Sequence, residues 1–231
     1  MNQNYSIHKE ILVRILKDIY TDPVLGKVLG FKGGTAAYLC YGLPRSSVDL
    51  DFDLLKPESQ TEVWSKLGDI IKNYGVIIDS HQKSQTLLYV IQYKKESWHI
   101  KVEVSLRATL ANYLPFSYLG IPLIVVDKPG MLAGKLAALI GRPSLASRDL
   151  FDVWYFLSNN WVADQSLLQD LTGQSQQEVY EQAVKKVSSI PDNQLLQGMG
   201  ELVTNQQKDW VKSKLKSELQ FLLNLKLSHN E

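Results

Sequence analysis

Residues 48–55 (VDLDFDLL) alternate strictly, with Asp49, Asp51 and Asp53 on one side and Val48, Leu50, Phe52 and Leu54 on the other. That is the period of a strand with one buried face. Side chains two apart on a strand lie ~6.5–7 Å apart at the Cα and point the same way. Carboxylates so close repel one another unless a cation sits between them. Mg²⁺ favours one or two carboxylates completed by water and phosphate. Two such ions can clamp the attacking and leaving oxygens of a phosphoryl displacement. Taken alone, the pattern suits a solvent-facing acidic edge strand equally well.

The Gly33-Gly34 pair upstream tips the balance. It opens a short helix, and exposed backbone N–H groups at a helix start can hold a phosphate that glycines let approach closely. Thr35 could add a hydroxyl donor. On a second alternating strand, Trp98 to Leu106, Lys101, Glu103 and Ser105 form the polar side. Glu103 is therefore a candidate third carboxylate if that strand pairs beside 48–55, with a salt bridge to Lys101 as the plainer use. Asp53 competes with it for the role. Farther on, Lys128, Lys135, Arg142 and Arg148 occur with no acidic residue between 128 and 148. Lys135 and Arg142 share a helix face if their helix extends that far, and could neutralise a triphosphate. An ordinary solvated face is the commoner use of such residues, and Arg148 with Asp152 could form an i,i+4 helix pair.

Elements must position these groups. Residues 7–20 place Ile11, Leu12, Ile15, Leu16 and Ile19 on one helical stripe. A helix over 35–41 follows the glycines and ends at Gly42 and Pro44, and another spans 59–73. Further strands are expected over 75–80, 86–93 and 121–126. From Asp127 onward the pattern is helical, with helices near 129–141, 147–159, 164–172, 175–188, 193–204 and 206–227. The expectation is an α+β chain in two domains: an α/β part with a mixed sheet over 1–127, then an all-helical part over 128–231.

Composition narrows the function classes. The 231 residues are 45% hydrophobic and 10% aromatic, enough for a real core and against global disorder. Lys+Arg 25 against Asp+Glu 24 argues against binding nucleic acid by bulk charge, though not against a local basic cleft. One cysteine, Cys40, excludes an internal disulfide framework and a Cys-rich zinc site. No apolar run approaches the ~20 residues of a membrane span. MNQNYSIHKE lacks the charged start and apolar stretch of a signal peptide. A cytoplasmic protein is the expectation.

The stretch FKGGTAAYLCYGLPRSSVDLDFDLL resembles motif I of the DNA-polymerase-β-like nucleotidyltransferase superfamily, Gly-Gly/Ser followed by an Asp-x-Asp/Glu strand. It most resembles the AbiEii/AbiGii toxins of type IV toxin–antitoxin systems, including MenT-like proteins. That family shows GGTAL, a short helix, then R-x-S-x-D-x-D-F. Here stand Gly33, Gly34, Thr35 and Ala36, then Arg45, Ser47, Asp49, Asp51 and Phe52. KLAALIGRPSLASRDLFDVWYFL resembles the second block, K-x-x-A-L with R-D-x-x-D, at Lys135, Ala138, Leu139, Arg148, Asp149 and Asp152. Ala37 stands where the subgroup often has leucine. The turn between Gly34 and Asp49 is longer than in the general superfamily, as in the toxin subgroup. Beyond residue 160 no motif is recognisable.

The resemblance implies Mg²⁺- or Mn²⁺-dependent transfer of a nucleoside monophosphate from an NTP to an RNA acceptor, the tRNA 3′ end in MenT-like members, which blocks translation. Asp49 and Asp51 would bind the metals. Gly33, Gly34, Thr35, Arg45, Ser47 and Arg148 would hold the nucleotide, and Lys135 would meet charge on the leaving phosphates. Asp149 or Asp152 would be needed near the site, and Glu103 would serve the attacking hydroxyl as base or ligand. An antitoxin encoded nearby is the implied partner, without a stable complex. Two readings stand beside this one: an antibiotic-type nucleotidyltransferase acting on a small polycation, and a catalytically silent nucleotide-binding scaffold.

Overall fold

The computed structural model describes residues 3–93, 98–143 and 146–228. Its first unit comprises residues 1–42 and 46–126, and its second comprises 43–45 and 127–231. In chain order the first carries α1 (Gln3–Thr21), α2 (Leu25–Val28), β1 (Leu29–Lys32), α3 (Gly33–Cys40), β2 (Leu50–Leu54) and α4 (Gln60–Ile71). Then come β3 (Val76–Lys83), β4 (Thr86–Gln92), β5 (His99–Ser105), β6 (Tyr113–Tyr118) and β7 (Ile121–Val126). The seven strands form one mixed sheet in the order β3-β4-β5-β2-β1-β7-β6.

Two parallel pairings, β2 with β5 and β1 with β7, sit inside an otherwise antiparallel sheet. The stripe anticipated on α1 is buried at Leu12, Ile15, Leu16 and Ile19. Tyr20 at its end packs near Phe52, which also meets Phe31 of the neighbouring strand. On β2, then, Leu50 and Phe52 face the core while Asp51 points to the other side, as the alternation requires, and Asp49 stands just before the strand.

Neither β1 nor β6 was among the expected strands. β1 has only four residues, one of them Gly30, and gives no readable period. Its Gly30 admits the ring of Tyr113, which lies 2.3 Å from where a Cβ would stand. β6 carries Pro115, tolerated because β6 is an edge strand.

The second unit contains α5 (Lys128–Gly141), α6 (Ser147–Ser158), α7 (Gln165–Thr172), α8 (Gln176–Ser188), α9 (Asn205–Trp210) and α10 (Lys216–Ser228). Asp127 caps α5 by accepting from the Gly130 N–H at 2.8 Å, with Pro129 in the first turn. A capping box of Ser175 and Glu178 opens α8. The helix expected over 193–204 is not there. A short 3₁₀ turn at Asp192–Gln194 gives way to turns in which Gly198 has φ +68°, a backbone no helix can hold. The long last helix is interrupted by a π-helical turn at Val211–Leu215. Among the described residues, no helix is long and apolar enough to cross a membrane.

Candidate functional site

The acidic face is assembled by one register. Asp51 of β2 stands directly opposite Glu103 of the parallel strand β5, and Asp53 opposite Ser105. Continued one residue toward the start of each strand, the same register sets Asp49 opposite Lys101. The expected pairing of the two alternating strands is therefore present, and it brings Glu103 beside Asp51. The plainer expectation for Glu103 is present too, since its Oε2 is ion-paired to the Lys101 ammonium. Burial alone would lower the pKa of Lys101. The hydrogen bond and charge of Glu103, then the charges of Asp51 and Asp49, outweigh it and hold the ammonium above the ordinary lysine range.

Asp53, the competitor for the third carboxylate, has other partners. It is 4% exposed, pairs with Lys32 Nζ at 2.5 Å and accepts from the Tyr113 hydroxyl. Burial and the Asp53 charge keep that phenol protonated far into alkali. Asp53 is thus enclosed between a cation and a donor, while Asp49, Asp51 and Glu103 remain only partly buried.

Gly33 begins α3 with φ +77°, a left-handed backbone that glycine adopts without steric cost. A Cβ there would lie 2.3 Å from Asp51 Oδ2, so the start of the helix presses against that carboxylate. Thr35 and Ser47, expected at the nucleotide, are placed differently. Thr35 is fully buried and its hydroxyl donates to the Asp49 carbonyl, with Ser47 Oγ 2.9 Å away. The Thr35 hydroxyl therefore fixes the backbone at Asp49, and the Ser47 hydroxyl meets Thr35 rather than the Asp49 backbone.

From α1, His8 fixes the residue before Asp49, a role its position in the sequence did not suggest. Its Nε2–H donates to the Val48 carbonyl at 2.9 Å, and its Nδ1 accepts from the Tyr93 hydroxyl at 2.6 Å. That pattern needs a neutral ring. Burial lowers the pKa accordingly, against the opposing pull of the Val48 carbonyl and the Asp49 charge. The available signal was a histidine one turn before Leu12, on the apolar stripe of α1.

In the helical unit the second motif forms a buried ion network. Asp149 and Asp152 lie on one face of α6 and are 1% and 0% exposed. Lys135 of α5 reaches Asp149 Oδ1 at 2.9 Å and Asp152 Oδ2 at 2.7 Å. Arg45 forks onto Asp152 through Nε and Nη2, both at 2.6 Å. Arg142, just past the end of α5, approaches Asp149 Oδ2 at 3.3 Å without hydrogen-bond geometry. Two expectations change as a result. Arg45, assigned to the nucleotide, is 2% exposed and bound to a carboxylate. Asp152 pairs with Lys135 and Arg45 rather than with Arg148, and Arg148 itself is half-buried with no ion pair among the described residues. Ser144 and Leu145 of this motif lie outside the described residues.

The acidic face suits a hard divalent cation by donor chemistry: oxygen ligands only, from a strand pair whose carboxylates share one side. Among the described residues, no three His, Cys, Asp or Glu side chains are gathered closely enough to form a preformed metal cage. Mg²⁺ does not need one, because it binds through one or two carboxylates with water and substrate phosphates. The donor set fits the metal that the motif implies.

A family model described as nucleotidyl transferase AbiEii toxin, Type IV TA system, matches residues 14–220. Among solved structures, a Helicobacter pylori protein described as a candidate nucleotidyltransferase superposes with a TM-score of 0.65 at 19% identity. It covers 100% of this chain and 99% of that one. JHP933, also from Helicobacter pylori, superposes with a TM-score of 0.62 at 20% identity, covering 100% of this chain and 96% of that one. At such identities the likeness concerns the fold. No curated protein matches the chain.

Proposed function

Because the chain belongs to the AbiEii nucleotidyl transferase toxin family of type IV toxin–antitoxin systems, we propose that it transfers a nucleoside monophosphate from an NTP to the 3′ end of tRNA and so blocks translation. The family makes it a nucleotidyltransferase toxin with an NTP substrate and a cognate antitoxin. The acceptor, the metal and the consequence for translation are our reading.

The observation that carries it is the parallel register setting Asp51 beside Glu103, with the glycine start of α3 against Asp51. In this reading Asp49 and Asp51 hold Mg²⁺, which would supply positive charge to the reacting phosphoryl oxygens. The N–H groups at Gly33 and Gly34 bind triphosphate oxygens. The acceptor hydroxyl oxygen attacks the α-phosphorus and the bond from that phosphorus to the α–β bridging oxygen breaks. Pyrophosphate leaves, and Glu103 takes the hydroxyl proton. We assign the charge that meets the leaving phosphates to Lys135, held in place by Asp149 and Asp152. Thr35 positions the Asp49 backbone, His8 holds the preceding Val48 carbonyl, and Arg45 positions Asp152. The antitoxin acts, in this reading, without forming a stable complex.

The test is incubation of the protein with Mg²⁺, total tRNA and each α-labelled NTP, beside Asp51→Ala. Label on the tRNA 3′ end with the intact protein only is the expected result. Label on another acceptor would refute the tRNA assignment. Equal labelling by Asp51→Ala would refute the assignment of the carboxylates.

A further inference from the structure

Lys101 stands where no expectation for the site placed a cation with a function. It lies on the polar side of β5, two residues from Glu103 and opposite Asp49 by continuation of the strand register. Its ammonium is paired with Glu103 Oε2, and the charges of Asp51 and Asp49 act on the same atom. Glu103 is therefore in direct contact with a lysine of the same sheet, and Asp49 and Asp51 add their charges from the neighbouring strand.

Such a face must be compensated in the absence of metal, because like charges this close repel. Lys32 is paired with Asp53. We propose that Lys101 is the resident counter-ion of the acidic face, holding Asp49, Asp51 and Glu103 together until a divalent cation displaces its ammonium. This rests on the metal reading given above and extends it: loading the metal is an exchange of cations rather than the filling of an open site. The side chain suits that task. An ammonium on a flexible four-carbon stem can swing away, whereas a rigid guanidinium fork would hold a carboxylate more tenaciously. The exchange also explains the dual placement of Glu103, ion-paired when metal is absent and freed for the hydroxyl when metal is bound. The competition is electrostatic and reciprocal, so whatever Lys101 contributes to the metal-free fold is subtracted from metal affinity.

The test uses Mn²⁺ as probe, with binding followed by calorimetry or by the loss of its free spin-resonance signal. The proteins are the wild type, Lys101→Met, Lys101→Arg and, as control, Asp51→Asn. Removing one positive charge from beside a divalent ion should tighten Mn²⁺ binding on the order of tenfold. Lys101→Met keeps most of the stem length, so packing against the sheet is preserved. The expected result is tighter binding by Lys101→Met, binding by Lys101→Arg no tighter than wild type, and loss of binding by Asp51→Asn. Without metal, Lys101→Met should melt below wild type, and saturating Mn²⁺ should raise its melting temperature by more than it raises the wild type's. Wild-type binding with equal or weaker binding by Lys101→Met would overturn the role of Lys101 while leaving the metal reading intact. No Mn²⁺ binding by either protein would overturn the metal reading and this inference with it.

Discussion

Replacing Asp152 by asparagine should reveal how much the second motif contributes to stability. The carboxylate is fully buried and accepts two 2.6 Å bonds from Arg45 and a 2.7 Å contact from Lys135. Asparagine keeps the shape and removes the charge, depriving the 2%-exposed Arg45 guanidinium of the Asp152 carboxylate. Breaking a buried pair from one side costs about 3–5 kcal/mol, because the remaining charge stays desolvated. At roughly 2–4 °C per kcal/mol for a chain of this size, the melting temperature should fall by about 6–20 °C. Scanning calorimetry at neutral pH reads this directly.

The double variant Arg45→Met with Asp152→Leu should recover most of the loss, since an apolar replacement of a buried pair is often close to neutral. Lys135 and Asp149 would then remain as a matched pair. The pH profile supplies an independent check. Burial pushes the Asp152 carboxyl up, but the charges of Lys135 and Arg45 outweigh it and hold the group below the usual carboxylate range. A carboxylate depressed in the fold contributes stability that is complete above its unfolded value, ~3.9, and is lost as pH falls through the folded value. Lys135 is opposite in sign: burial would lower it, but Asp152 and Asp149 raise it. Its contribution is complete below ~10.4 and is lost only as pH rises through the folded value. The gap between wild type and Asp152→Asn should therefore stay level from about pH 5 to about pH 10 and close in acid. A single variant melting within about 2 °C of wild type would refute the reasoning.

Three further outcomes are expected. Lys135→Ala should lower both transfer and melting temperature, because it leaves Asp149 and Asp152 short of a cation. Calorimetry beside the transfer assay separates the two. Gly33→Ala should cost about 1–2 kcal/mol for its left-handed backbone, and transfer should fall about 10²-fold as the new Cβ displaces Asp51. Denaturant melts and initial rates check this, and an unchanged rate would remove Gly33 from the site. Glu103→Gln should reduce transfer by about 10²–10⁴-fold while leaving Mn²⁺ binding measurable, a pattern expected of a base rather than an essential ligand.

The local elements were largely legible in the sequence because they are written in short-range periodicity. The alternation around Asp51 became β2, the stripe from Leu12 to Ile19 became the buried face of α1, and the change of pattern after Asp127 became the helical unit. The failures are also local in origin. Leu29–Lys32 is too short for a period to show, and Pro115 obscures β6. Over 193–204 apolar spacing suggested a helix, while Gly198 and Gly200 supplied turns instead.

Within the site, the residue types and the spacing of Gly33, Asp49 and Asp51 were enough to indicate phosphoryl chemistry and the family. Their charge partners were not legible, because a charge is compensated by whatever the fold brings near it, at any distance along the chain. Arg45 meets Asp152 across 107 positions and Tyr113 meets Asp53 across 60. By sequence alone, Asp53 competes with Glu103 and Asp149 with Asp152. The tertiary structure separates the first pair by enclosing Asp53 with Lys32, and joins the second through one lysine. The sequence by itself determined which groups the chain carries and which face of each element they occupy. Strand order and register decided which carboxylates stand together and which cation answers them, since burial and Coulomb energy depend on distance in space.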